Sequence, residues 1–150
     1  MIQNRAALDP ELYESDETAW LDAMSELIEQ GRLDELDYAN LREYLSDMAK
    51  RDRREVESRL ALLIEHLLKW DYQSKKRTRS WRRTILVQQQ ELTEDCAGGV
   101  LRNHAVETLG KTYSKAVARA VTETGLAITT FPKECPYTLD QALTKKLAEE

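Results

Sequence analysis

The sequence predicts an all-α protein, a single-domain bundle of five or six helices around one central apolar helix. Three observations predict it. The stretch Glu57–Trp70, ESRLALLIEHLLKW, is the most apolar part of the chain, and its apolar residues recur at a helical period. The composition is that of a helical protein, 33% charged and 41% apolar with only 5 Gly and 3 Pro. No alternating strand pattern, internal repeat or glycine-rich phosphate loop appears anywhere. A length of 150 residues supports one domain, residues 1–150, with its own core.

The elements follow in order. Residues 1–14 lack periodicity and are expected to be a flexible or briefly helical lead-in. Asp16 suits an N-cap, and Glu17 favours the first turn of a helix. That helix runs to about Gln30 with Trp20, Met24, Leu27 and Ile28 as its stripe, and Gly31 is placed to end it. Leu33 and Leu36 are expected to tuck beneath the connector GRLDELD. A second helix begins near Asp37 with Leu41, Tyr44, Leu45 and Met48 inward. Asp52 followed by Glu55 resembles a capping box, which predicts a break near Lys50 to Asp52. The alternative is one helix from Asp37 to Trp70, since the apolar stripe keeps its phase across KRDRRE.

The central helix is predicted over Asp52–Trp70. On a wheel of about 100° per residue, Val56, Leu60, Leu63, Ile64, Leu67 and Leu68 share one broad arc. Ser58, Ala61, Glu65 and Lys69 fall opposite. The arc is wide enough for neighbours on more than one side. Each Leu or Ile fully buried there stabilises by about 1.5–3 kcal/mol. Along one flank lie Glu55, Arg59, Leu62, His66 and Trp70, with an ion pair expected for Glu55 and Arg59 and a ring contact for His66 and Trp70.

Beyond it, residues 71–79 read as an exposed basic loop, and Ser80 as the cap of a helix carrying Trp81, Ile85, Gln88 and Leu92. A long helix is expected from Val100 to Thr124, closed by Gly125; Gly110 within it costs about 1 kcal/mol relative to Ala. Pro132 and Pro136 make FPKECPY irregular. Thr138 with Gln141 is a capping box that opens a short last helix with Leu139, Leu143 and Leu147 inward.

Composition narrows the function classes. Cys96 and Cys135 lack metal-ligand spacing and do not make a disulfide framework, so a reducing cytoplasm is expected. The first residues have no apolar leader core, and the longest apolar run, Leu60–Ile64, is far too short to span a membrane. Net charge is −5 but uneven. Residues 1–70 carry 9 Lys/Arg and 17 Asp/Glu, residues 71–83 carry 6 and 1, and residues 84–150 carry 7 and 9. An acidic chain with one compact basic segment argues against general nucleic-acid affinity and for docking of something anionic at one place.

The pieces ESRL and HLLKW, then SW after a short polar loop, then ETGL, then FPxxCPYT resemble a bacterial, largely cyanobacterial, family known only as domain of unknown function twenty-nine. The resemblance covers about Asp16 to Leu143. It implies an almost wholly α-helical fold and carries no activity with it. It also implies that Trp20, Arg59, His66, Leu67, Leu68, Trp70, Ser80, Trp81, Phe131, Pro132, Cys135 and Pro136 are signature positions. The chain departs from that pattern at EDCAGGV, where the family has a Ser-Pro-Ser-like turn; this is where the predicted long helix starts.

Four constellations bear chemistry. Arg59 and His66 with Glu55 would serve as a general base or anion site; a hydrogen-bonded His at a bundle edge, stacked on Trp70, explains them without catalysis. Cys135 near the start of the Thr138 helix would have a lowered pKa; a small packing residue in a proline-shaped loop is the plainer reading. A zinc site built from His66, His104, Cys96 and Cys135 lacks paired spacing, and no ExxH set occurs, so no metal or other cofactor is expected. The sharpest feature is KKRTRSWRR. Lys75, Lys76, Arg77, Arg79, Arg82 and Arg83 would hold phosphates while Trp81 stacks a base. Against this, Trp81 is in phase with Ile85 and so belongs to the core, and the cations balance the acidic helices. The reading favoured is a non-enzymatic interaction or regulatory module that binds another protein or itself. A small nucleic-acid-binding protein using residues 75–83 is the alternative, and an enzyme built on Arg59 and His66 the third.

Overall fold

The computed structural model describes residues 8–148. The protein is all-α: seven α-helices and three short 3-10 turns occur among the described residues, more helices than the five or six expected. The extra ones come from α1, Leu12–Ser15, in the lead-in, and from a division of the predicted Val100–Thr124 helix. The chain forms two compact units, residues 1–49 and 50–150.

In the first unit, α2 spans Glu17–Glu29, a 3-10 turn spans Leu33–Glu35, and α3 begins at Tyr38. Asp16 caps α2 by accepting from the Ala19 N–H at 3.1 Å, and Gly31 takes the left-handed conformation (φ 71°) that ends it. Trp20, Met24 and Leu27 form the buried centre, packed by Leu12, Tyr13, Leu36, Leu41 and Tyr44. The Trp20 ring meets Tyr13 edge-on at 4.7 Å and Tyr44 at 5.9 Å. Its indole N–H donates to Asp37 Oδ2 at 3.1 Å, which satisfies the buried donor. Burial alone would raise the Asp37 pKa, but hydrogen bonds from Asn40 and Trp20 hold it below the usual carboxylate value. Three expected core residues are outside: Ile28 and Leu33 are half exposed and Leu45 more so.

In the second unit the core is built on the C-terminal half of α3, Tyr38–Tyr72, which continues without the break expected at Lys50–Asp52. Nothing in KRDRRE stops a helix: there is no Pro or Gly, and most of its residues are good helix formers. Of the arc opposite Val56, Leu60, Leu63, Ile64, Leu67 and Leu68, Ser58 is exposed as expected, but the rest is buried, contrary to expectation. Ala61 is inside, and Glu65 and Lys69 are only 6% exposed. Lys69 is accommodated because its ammonium lies over the Trp81 ring, 4.8 Å from the centroid.

The remaining helices are α4, Arg79–Asp95; α5, Gly99–Glu107; α6, Leu109–Thr124; and α7, Leu139–Thr144. The cap of α4 is Thr78, not Ser80: its Oγ1 accepts from the Trp81 N–H at 3.1 Å. The predicted long helix divides at Thr108 (φ −94°, ψ 3°). There the Thr108 hydroxyl donates back to the His104 carbonyl at 2.7 Å, sharing it with the helical bond from the Thr108 N–H at 3.0 Å, and such back-bonding bends a helix. Gly125 (φ 71°) ends α6 and the Thr138–Gln141 capping box opens α7, both as expected.

A strap, residues 126–138, joins α6 to α7 and ties the end of α3 in place. Phe131 is buried edge-on against Tyr72 at 5.3 Å. The Tyr113 hydroxyl donates to the Pro132 carbonyl at 2.5 Å. The Tyr137 hydroxyl donates to Asp71, which also takes the Lys145 ammonium at 2.7 Å. Gln89 of α4 donates to the Ala142 and Lys145 carbonyls at 3.0 and 2.9 Å, closing the C-terminal end of α7.

Candidate functional site

The Arg59–His66 set does not assemble. The two residues lie two helical turns apart, and among the described residues no bond joins them. Arg59 is held by Glu55 at 3.0 Å, as expected, and also by Asp95 at 3.8 Å and Gln88 at 3.2 Å. His66 Nδ1 donates to the Leu62 carbonyl at 2.9 Å. Burial of the ring, helped by nearby Lys69, holds His66 below its usual pKa despite that hydrogen bond. The cation found over the Trp70 ring is Arg77, 4.7 Å from the centroid, in place of the expected His66 stack.

Cys135 is half buried, and burial pushes its pKa up, which fits the plainer reading of a packing residue and not a thiol activated by the nearby helix start. Cys96 is buried and shifted the same way for the same reason. Among the described residues no group of three or more His, Cys, Asp or Glu comes together to hold a metal ion. Two open clefts flank the strap. One, of about 430 Å³, runs between α6 and the strap past Tyr113, Val117, Ile128, Phe131 and Lys133. The other, of about 420 Å³, is lined by Arg102, Val106, Cys135, Tyr137 and Asp140. Their polar groups are largely engaged within the protein: Tyr113 with Pro132, Ser114 with the Gly110 carbonyl, and Arg102 with Asp140 at 2.7 Å. Burial pushes the Tyr113 pKa up to about 12, so its hydroxyl keeps its proton and serves as a tie.

The basic segment behaves differently. Residues 73–78 form an elbow with a 3-10 turn at Ser74–Lys76. Arg77 alone is drawn in: it covers Trp70 and donates to the Trp70 carbonyl at 3.0 Å. Lys75, Lys76, Arg79 and Arg83 are exposed and Arg82 is half buried. Among the described residues none of these five forms an ion pair with a carboxylate of its own chain. Trp81 is half buried against the core with Lys69 over its ring, which removes it as a platform for a base.

The outward face of α4 extends this cationic surface. Arg79, Arg83, Leu86 and Gln90 fall on one side at i, i+4, i+7 and i+11, with Val87 beside them, opposite the inward Ile85 and Leu92. Leu86 is 49% exposed and Val87 43%. Sequence reasoning missed these two residues, although they fall outside the Trp81–Ile85–Gln88–Leu92 stripe, and that is the signal that could have found them. It also missed Asp71 and Gln89, whose partners lie more than fifty residues away in sequence.

The signature residues map onto ties. Trp20 holds Asp37, Arg59 holds Glu55, Trp70 lies under Arg77, and Phe131 packs on Tyr72. Pro132 offers its carbonyl to Tyr113, and Cys135 and Pro136 lead into the Tyr137–Asp71 contact. No curated protein and no solved structure matches the chain. One family model, Domain of unknown function DUF29, matches residues 12–148. The match spans the strap, the central helix and the Trp20 cluster together, and the chain belongs to that family.

Proposed function

We propose that the protein is a non-enzymatic interaction module of the cytoplasm that docks an acidic protein surface onto the elbow and the outward face of α4. One observation carries the reading: Lys75, Lys76, Arg79 and Arg83 are exposed without a carboxylate partner among the described residues, beside exposed Leu86 and Val87. Exposed cations steer an acidic partner and set its register, and the adjoining apolar pair supplies area to bury. No helix among the described residues is long and apolar enough to cross a membrane.

The same unpaired cations favour a second reading, nucleic acid. Two features weigh against it. Trp81 is half buried with Lys69 over its ring, and Leu86 and Val87 have no use on a phosphate backbone. Capture of partners from the native cells separates the two, with half of the sample nuclease-treated. A protein partner that survives nuclease and is lost with R79E/R83E supports the docking reading. Nucleic acid in the untreated half, lost with the same variant, overturns it.

A further inference from the structure

We infer that the acidic surface docked by α4 is that of a second copy of this chain, presented by the outward face of α2; this rests on the docking reading above. The two compact units carry opposite charge. Residues 1–49 hold 13 Asp/Glu against 3 Lys/Arg, a net of −10, while residues 50–150 hold 14 against 19, a net of +5. On α2, Asp22, Glu26 and Glu29 are exposed at i, i+4 and i+7. Asp22 and Glu29 have no cation partner among the described residues, while Glu26 accepts a hydrogen bond from Gln30 and lies within electrostatic reach of Arg32. Ile28, a third of a turn round the helix from them, is 51% exposed, and Leu33, in the turn that follows, is 50% exposed. The α2 face therefore has what the α4 face lacks: a row of exposed carboxylates, where α4 sets exposed Arg79 and Arg83.

Charge selects which faces meet. Two α2 faces repel each other, as do two α4 faces, so only the unlike pair is attractive. Every copy carries one face of each kind, so the pure protein contains both halves of the contact. Salt screens such a contact over a Debye length of about 8 Å at physiological ionic strength, so association falls as salt rises.

Sedimentation velocity of the pure full chain at low and high salt tests this. Association at low salt that is lost at high salt is expected, weakened at least about tenfold by R79E/R83E or by D22K/E29K. Neither variant associates with itself, but their mixture does, because one retains the α2 face and the other the α4 face. All four positions are exposed, and helical circular dichroism confirms that each variant is folded. A chain that stays monomeric at low salt overturns the inference. So does association abolished by R79E/R83E and untouched by D22K/E29K, an outcome that leaves the docking reading standing with a different acidic surface. Association indifferent to both variants overturns the inference and takes self-docking through α4 with it.

Discussion

The last turn of α3 and the elbow after it are neighbours in sequence and opposites in how their polar groups are engaged. Trp70, Asp71 and Tyr72 are tied on every side, to Arg77, to Tyr137 and Lys145, and to Phe131. A few residues later, Lys75, Lys76, Arg79 and Arg83 meet no carboxylate among the described residues. The difference teaches where to look for function. A buried polar group without a partner costs free energy, so the tied residues serve folding. Exposed cations left unpaired in a chain with 27 acids are available to something else. The positions that the family resemblance implies as its signature lie mostly in the tied region, and the proposed docking face does not.

Cutting the largest tie should have the largest effect. Phe131→Ala removes a buried ring from its place against Tyr72 and should cost about 3–5 kcal/mol in urea unfolding. Partner binding, measured on the folded fraction, should be unchanged. Asp71→Ala is next: it leaves the Tyr137 hydroxyl buried without its acceptor and frees Lys145, at a cost of about 1–3 kcal/mol. Acidification gives a smaller effect. His66 is held below its usual 6.5, so the unfolded chain takes up its proton first as pH falls. The His66 contribution is therefore complete above about pH 6.5 and declines as pH drops through the lowered folded value. An NMR titration of the His66 ring with its midpoint below 6.5 would match this, and a midpoint above it would refute the assignment.

Much of the fold was legible in the sequence because its signals were local. Asp16, Gly31, Gly125 and the Thr138–Gln141 box each act within a few residues, and each stands where expected. The central helix was legible from its arc, but a wheel gives phase and not the number of neighbours. It therefore misplaced Ala61, Glu65 and Lys69, which are buried because the last three turns of the helix are covered on that side too. Thr108 was missed because a threonine that bonds back to its own turn looks like any helical threonine in sequence. The candidate site was legible as a run of cations. Its aliphatic half, Leu86 and Val87, was not, because an apolar residue off the stripe looks like noise until its exposure is known. The Asp71–Tyr137 tie needed the tertiary fold, since the two residues come together only through the strap.

The most direct test of the division between tied and free residues is R79E/R83E, with urea unfolding and nuclease-treated partner capture measured on the same preparation. The expected result is a stability change under about 0.5 kcal/mol together with loss of the captured protein partner. Capture that persists undiminished, or a loss of stability as large as that of Asp71→Ala, would contradict it and make the basic face one more structural part of the fold.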